Sequence, residues 1–157
     1  MLHYKGHTVS FQEVPDEVSL VILIGDCPHR CPGCHSPELW TQSGISVKDK
    51  LDELIAQYVD AITCVCFMGE GQDDQDLLWC ADHARGLGFK TAIYSGYLDA
   101  HVFYYPHFDY YKCGPWKQDR GGLDNPNSNQ FMMKLVVDPE TGRHYLTDIT
   151  SRFYHSV

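Results

Sequence analysis

Three short apolar segments, each followed by a polar or glycine-rich turn, constrain the fold of this chain more than any other feature. Their sequences are VSLVILI (residues 18–24), AITCVCFM (61–68) and KTAIY (90–94). Their short length and β-branched residues are typical of buried strands. Because helical patterns separate them, the sequence predicts an α/β fold with a parallel sheet and right-handed crossovers.

Two amphipathic helices are predicted between these strands. Ser46 is a favourable N-cap for the first helix, whose apolar residues keep a helical spacing: Val47, Leu51, Leu54, Ile55, Tyr58 and Val59. The second helix is predicted to start at Asp73 or Asp74 and to end before Gly88, which takes the C′ position. A short helix is predicted near Leu98, and a short strand near residues 108–111.

The two ends of the chain have different patterns. Residues 1–17 form a lead-in with strand character at residues 7–11. Residues 113–130 have the Gly, Pro, Asn and Asp content of a loop. Residues 131–137 and 144–149 flank the turn DPETGR, which predicts a C-terminal hairpin.

The ends of the three apolar strands define the expected site. A complete eight-unit barrel needs about 250 residues, whereas this chain has 157. We therefore expect a single domain over residues 1–157, built as an open, incomplete (β/α) barrel with a parallel core sheet. Ligands of parallel sheets bind beyond the carboxyl ends of the strands. Three turns would converge there: Gly25-Asp26-Cys27, Gly69-Glu70-Gly71 and Ser95-Gly96.

Composition argues against two classes of partner. The net charge is −9, from 12 basic and 21 acidic residues, and nucleic-acid binding needs clustered Lys and Arg. No apolar run approaches the roughly 20 residues of a membrane-spanning helix, and the N-terminal MLHYKGHTVS is too polar for a secretory signal. We therefore expect a cytoplasmic protein with no nucleic-acid or membrane partner, whose seven cysteines stay reduced.

The segment CPHRCPGCH, residues 27–35, follows the first apolar strand directly. Its thiols, Cys27, Cys31 and Cys34, have a C-x3-C-x2-C spacing. A structural zinc site commonly takes four ligands from two separated pairs. Cys31 and Cys34 form one such pair, and His35 or Cys27 could complete a zinc site locally. The tight loop is better suited to a cubane iron–sulfur cluster, whose corners accept thiolates and whose fourth iron then stays open.

The wider segment CPHRCPGCHSPELW, residues 27–40, resembles the cluster loop of radical S-adenosylmethionine enzymes. It is most similar to that of the glycyl-radical-enzyme activases that serve anaerobic ribonucleotide reductases. YSGY at residues 94–97 is similar to the T-G-Y motif of that family, and Ser128-Asn129-Gln130 is similar to its S-S-N-Q motif. The matching motifs extend from residue 18 to about residue 137, most of the chain.

Three places differ from the family pattern. QEVPD at residues 12–16 stands where the family has D-G-P-G, a difference that bears on partner recognition. MGEG at residues 68–71 stands where the family has Gly-Gly-Glu/Asp-Pro, which bears on the site for the methionyl amino group. Ser36 and Leu39 replace an Asn and a Thr.

The resemblance implies a [4Fe–4S] cluster and S-adenosylmethionine as cofactors. It assigns three cluster ligands: Cys27, Cys31 and Cys34. It places Gly33, Cys34 and His35 beside the nucleoside, and Gly69 and Glu70 beside the methionyl amino group. Glu70 has an alternative interpretation as a cap of the second helix. No side chain is implied as a catalytic acid or base, because the cofactors perform the chemistry.

The implied activity is formation of a glycyl radical on the catalytic subunit of an anaerobic ribonucleotide reductase. A low-potential donor such as a flavodoxin would supply the electron. Two alternatives stay open: an activase of another glycyl radical enzyme, or a zinc-stabilised interaction module without enzymatic activity. A radical enzyme with a small-molecule substrate fits less well, because a short open barrel has little structure to enclose one.

Several other residues have two interpretations each. Three cysteines are interpreted as core residues: Cys64, Cys66 and Cys80. Cys113 precedes Gly-Pro-Trp in a loop and is either packed or reactive. His29 either forms hydrogen bonds near the cluster or faces solvent, and Asn129 is either a turn residue or a contact of the cofactor or partner.

Overall fold

The computed structural model describes residues 1–34 and 36–154, in which one seven-stranded sheet packs against three α-helices. The strands are β1 (Tyr4–Ser10), β2 (Ser19–Ile24), β3 (Cys64–Met68), β4 (Lys90–Tyr94), β5 (Tyr110–Cys113), β6 (Phe131–Val137) and β7 (His144–Asp148). The helices are α1 (Val47–Tyr58), α2 (Asp74–Gly86) and α3 (Ala100–Phe103). Short 3₁₀ helices lie at Pro37–Trp40 and Thr150–Phe153.

The strands lie side by side in chain order. Strands β2 to β5 run parallel, whereas β1 and the β6–β7 hairpin add antiparallel strands at the two ends. Within the described residues β1 and β7 remain edges, so the sheet does not close. The predictions of an α/β class, an open sheet with a parallel centre and a C-terminal hairpin are confirmed.

The N-terminal segment is more regular than its sequence predicts. Strand character is expected only at residues 7–11, but β1 spans Tyr4–Ser10 and pairs with β2 from Tyr4 opposite Ile24 to Ser10 opposite Ser19. Most of its side chains are half-buried, so the segment lacks the continuous apolar run of a central strand. Hydrogen bonds to β2 define this edge strand more than its own composition does.

The helices follow the predicted pattern closely. Four apolar residues of α1 are buried against the sheet: Val47, Leu51, Leu54 and Ile55. Ser46 occupies the N-cap position, although its side chain makes no capping hydrogen bond. Asp73 caps α2 by accepting a hydrogen bond from the Asp76 N–H at 3.1 Å, and Gly88 follows the helix with a φ of +97°. None of the helices in the described part of the chain is long and apolar enough to cross a membrane.

The sheet has a hydrophobic core on each face. One face packs against α1 and α2 through a cluster that includes Ile22, Phe67 and Ile93. The opposite face, called the inner face here, carries a smaller cluster that includes Cys66 and Ala92 from the strands. Leu123, from the loop between β5 and β6, belongs to this second cluster. That loop therefore folds over the inner face, next to the carboxyl ends of the parallel strands.

Candidate functional site

The cysteine loop begins where β2 ends, and backbone hydrogen bonds close its base. The Asp26 N–H donates to the Thr41 carbonyl at 2.9 Å, and the Cys27 N–H donates to the Leu39 carbonyl at 3.0 Å. Within the loop, Arg30 and Gly33 have positive φ values of 45° and 70°. The two hydrogen bonds from Asp26 and Cys27 therefore join the start of the cysteine loop to residues 39 and 41 that follow it.

The structure brings the three predicted cluster ligands together around one cavity of about 150 Å³, called the site cavity here. Cys27, Cys31 and Cys34 line it, and each is partly exposed. The Cys34 N–H donates to the Cys31 carbonyl at 3.0 Å. The other walls come from the ends of β3, β4 and β5, as expected for a site at the carboxyl edge of a parallel sheet.

A single zinc ion and an iron–sulfur cluster require different separations between their thiolate ligands. In the described part of the chain, no three His, Cys, Asp or Glu side chains form a group that could hold one metal ion. A single zinc ion with Zn–S bonds of about 2.3 Å would need its thiolates roughly 3.8 Å apart. A four-iron cluster separates its thiolate ligands by more than one ion does, because each ligand binds a different corner.

Glu70 follows β3 and forms part of the wall of the site cavity. Its side chain is 2% exposed. One carboxylate oxygen, Oε1, pairs with Nε2 of His29 from the cysteine loop, while Oε2 is buried without a hydrogen-bond partner among the described residues. A buried carboxylate oxygen without a partner is costly and indicates a missing donor. The helix-cap interpretation of Glu70 is wrong, because Asp73 caps α2.

His29 lies in a slot between Glu70, Tyr97 and Gly96, so its side chain does not face solvent. Its side chain is 15% exposed, and its ring meets the Tyr97 ring edge-to-face with centroids 4.5 Å apart. On a third side lies Gly96, where an added Cβ would come within 2.5–2.7 Å of the imidazole. His29 therefore connects the cysteine loop to the ends of β3 and β4.

The two predicted glycines, Gly33 and Gly69, have positive φ values and little room for a side chain. Gly69 has a φ of +99°, donates its N–H to the Tyr94 carbonyl at 2.9 Å, and lies where a Cβ would meet the Ile24 carbonyl at 3.3 Å. Gly33 is exposed, and a Cβ there would meet Oε1 of Gln118 at 2.9 Å. Gly69 lines the site cavity, whereas Gly33 lies beside the β5–β6 loop. His35 lies outside the described residues.

Sequence reasoning missed Lys112, which sits near the end of β5 and lines the site cavity. Its Nζ donates to the carbonyls of Ser95 at 3.1 Å and Gly114 at 2.8 Å. Burial lowers the pKa of the Lys112 ammonium to about 8. The available signal was a single lysine inside the otherwise uncharged segment YYKC, where a buried charge indicates a special role.

A second cavity of about 670 Å³, called the adjoining cavity here, lies under the β5–β6 loop. Six residues line both cavities: Cys34, Met68, Tyr94, Lys112, Trp116 and Gln130. The Ser128 hydroxyl donates to the Gly121 carbonyl at 2.8 Å, and the Asn129 side-chain amide donates to the Pro115 carbonyl at 3.0 Å. The Ser-Asn-Gln motif thus holds this loop in place and contributes Gln130 to the cavity walls.

The other four cysteines are buried, and none of these four lines the site cavity. Cys64 and Cys66 lie together in the core of the inner face, and Cys80 packs between α2 and the sheet, as predicted. Cys113 is also fully buried, with its Sγ 3.5 Å from Nδ1 of His101. Burial raises the pKa of the Cys113 thiol to about 11, so the packed interpretation holds for this residue.

No protein-family model matches this chain, no curated protein matches its sequence, and no solved structure matches its fold. Three thiols suit an iron–sulfur cluster, and the unpartnered Oε2 of Glu70 suits the ammonium group of an amino acid. The residues present therefore fit a cluster with S-adenosylmethionine beside it.

Proposed function

We propose that this protein is a radical S-adenosylmethionine activating enzyme, which generates a glycyl radical on an anaerobic ribonucleotide reductase. One observation carries the proposal: the three thiols of a C-x3-C-x2-C loop line a single cavity, together with the buried carboxylate of Glu70. In this proposal the seven-stranded sheet is the open, incomplete barrel of that enzyme class.

The three cysteines would hold three irons of a [4Fe–4S] cluster and leave the fourth open. When bound, the cluster supplies one electron that cleaves S-adenosylmethionine to methionine and a 5′-deoxyadenosyl radical, which takes a hydrogen atom from a glycine of the reductase. The loop would keep this chemistry at the sheet edge, because hydrogen bonds from Asp26 and Cys27 close its base.

The chain's own residues would orient S-adenosylmethionine. Oε2 of Glu70 would accept a hydrogen bond from the methionyl ammonium, while His29 holds Oε1 and so fixes the carboxylate. The buried ammonium of Lys112 is already engaged by two carbonyls and adds positive charge near the thiolates. The adjoining cavity meets the site cavity at Cys34, and its volume of about 670 Å³ suits a nucleoside.

The proposed partners follow from the chemistry. A protein substrate fits the open sheet edge, and a low-potential donor such as a flavodoxin would supply the electron. Thiolate ligands and a low-potential cluster require a reducing compartment, which supports a cytoplasmic location.

The test starts with anaerobic purification of the full chain and counting of iron, sulfide and zinc. We expect about four irons and four sulfides per chain, and a paramagnetic resonance signal of the reduced cluster that changes on addition of S-adenosylmethionine. With the reductase subunit from the same organism, a glycyl radical doublet should appear while methionine and 5′-deoxyadenosine accumulate. Activation of a formate-lyase-type enzyme in place of the reductase would correct the target, and a colourless zinc protein would overturn the proposal.

A further inference from the structure

A further cavity of about 630 Å³, called the aromatic cavity here, shares Glu70 with the site cavity but is not lined by the three loop cysteines. Its lining includes three aromatic rings: Tyr97, Phe103 and Tyr104. Pro28 of the cysteine loop also lines it, as do Gln72 and Asp74 near the start of α2. The function proposed above assigns no role to this cavity.

The three rings form one continuous wall. Tyr97 and Phe103 meet edge-to-face with centroids 5.6 Å apart and planes at 79°. Phe103 and Tyr104 have centroids 6.3 Å apart and planes at 83°. Tyr97 is 40% exposed and Phe103 is 54% exposed, so parts of both rings remain open to a ligand. Aromatic faces carry partial negative charge and attract cations.

The charges around the cavity favour the same kind of ligand. Glu70 and Asp74 line it, and none of its described lining residues is Lys or Arg. The Tyr104 hydroxyl donates to Oδ1 of Asp74 at 3.3 Å, which ties one carboxylate to the aromatic wall. Burial, followed by the charges of Glu70 and Asp74, raises the pKa of the Tyr97 phenol. A positively charged group would meet both ring faces and carboxylates.

The surface next to the cavity points to a protein as the source of that group. Four large apolar residues within eight positions of the chain are 41–66% exposed: Leu98, Val102, Phe103 and Tyr105. Exposed apolar side chains grouped in this way are typical of protein interfaces. A free metabolite in the cavity would leave them exposed, whereas a partner protein would cover them.

We propose that the aromatic cavity binds an arginine side chain of a partner protein, which also covers the apolar residues around α3. Arginine fits better than lysine, because a planar guanidinium can stack on a ring and pair with a carboxylate at the same time. The proposal does not depend on the cluster. It does place the partner against the cysteine loop, since Pro28 lines the aromatic cavity and Glu70 lines both it and the site cavity.

The first test uses N-acetyl-arginine amide as the probe and ligand-observed NMR titration of the full chain. The neutral isostere N-acetyl-citrulline amide should bind about ten-fold more weakly or worse, because it lacks the charge. Phe103→Leu and Asp74→Asn should each weaken arginine binding by about two- to five-fold, as loss of an exposed cation contact predicts. Phe11→Leu and Asp60→Asn, which make the same changes at exposed positions outside the cavity lining, should have no effect. Equal binding of the two probes, or unchanged affinity in both cavity variants, would overturn the proposal.

The second test separates a protein partner from a small cation. A blocked Leu-Arg-Leu peptide should bind several-fold more tightly than the single residue, because its leucines can cover the apolar surface. Val102→Ser should remove that gain and leave N-acetyl-arginine amide binding unchanged, and at 66% exposure the substitution should not disturb the fold. If the peptide binds no better than the single residue, the cavity takes a free cation and the docking proposal fails.

Discussion

Cysteines occupy two contrasting regions of this molecule. Cys27, Cys31 and Cys34 lie on a loop beyond the sheet, partly exposed, around one cavity. The other four are fully buried: Cys64, Cys66, Cys80 and Cys113. The residue type is the same, but its position relative to the strand ends differs. Inside a strand or helix the thiol is a small apolar group, whereas on a loop at the carboxyl edge it is available to a ligand.

Burial also separates the two regions chemically. It raises the pKa of the Cys64 and Cys80 thiols to about 12, and that of Cys113 to about 11. The thiolate is the form that binds metals and reacts, so at neutral pH these thiols are inert. Burial raises the pKa of the Cys27 thiol as well, but its partial exposure leaves it accessible to a metal that can displace the proton.

Alanine substitution of a loop cysteine should abolish cluster binding, whereas the same change at a buried cysteine should not. Cys27→Ala, Cys31→Ala and Cys34→Ala should each lose the reconstituted iron–sulfur cluster, because two thiolates do not hold it. Cys64→Ala and Cys66→Ala should retain full iron and sulfide, while losing about 1 kcal/mol of folding stability from the missing core atom. Iron and sulfide analysis with chemical denaturation measures both effects. A loop variant that retains a cluster responsive to S-adenosylmethionine would remove that cysteine from the ligand set.

Alkylation should distinguish the loop cysteines from the buried ones in the unmutated protein. With metal removed at pH 8, iodoacetamide should modify the three loop cysteines of the native chain first. Cys64 has a pKa of about 12, so about one molecule in ten thousand carries its thiolate at that pH. All seven cysteines should react after denaturation. Peptide mass spectrometry identifies the modified cysteines, and early labelling of Cys113 would show that the end of β5 opens to solvent.

Much of this contrast follows from sequence alone. The short apolar runs predicted β2, β3 and β4, because buried parallel strands need continuous apolar residues. The alternation of Cys64 and Cys66 placed both thiols on one face of β3. The convergence of the strand-end turns then followed from topology. The pattern predicted strand character only at residues 7–11 and missed the first residues of β1 (Tyr4–Ser10), because its half-buried side chains carry little periodic signal.

The sequence predicts which residues form most of the site, but not which of them contact each other. Motif and position identify five residues that line one cavity: Cys27, Cys31, Cys34, Gly69 and Glu70. The contact of His29 with Glu70 joins residues 41 positions apart, and no local pattern encodes such a pair. Lys112 is buried only because Ser95 and Gly114 supply carbonyls to its ammonium. Long-range contacts of this kind depend on the folded chain.

Glu70→Gln should weaken the site without dismantling the loop. The amide oxygen can still accept a hydrogen bond from His29, so the cluster should assemble normally. Loss of a charge-assisted hydrogen bond should weaken S-adenosylmethionine binding by about 1–3 kcal/mol. Glu38→Gln, at an exposed position in the 3₁₀ helix Pro37–Trp40, is the matched control. Equal affinities of the two variants, measured by equilibrium binding to the reconstituted protein, would separate Glu70 from the cofactor.

A Gly→Ala substitution should change stability only slightly, and in opposite directions, at Gly96 beside the site cavity and at Gly86 in α2. At Gly96 the new Cβ would lie 2.5 Å from Cδ2 of His29, whereas at Gly86 in α2 nothing lies within 4 Å. Gly86→Ala should stabilise the protein by about 0.4–1 kcal/mol through the entropy of the unfolded chain. Gly96→Ala should cost about 1 kcal/mol, near the low end for overpacking, because the imidazole can swing outward.

The displaced His29 ring would then lose its contact with Glu70 and release the loop from the ends of β3 and β4. We therefore expect Gly96→Ala to lose iron to a chelator several-fold faster than the parent, although no cysteine has changed. Gly86→Ala should lose iron at the parent rate. Denaturation of the metal-free chains and chelator kinetics of the loaded ones measure the two effects separately. If the variants behave alike in both assays, the His29 slot does not support the cysteine loop, and the loop's own hydrogen bonds at Asp26 and Cys27 hold it.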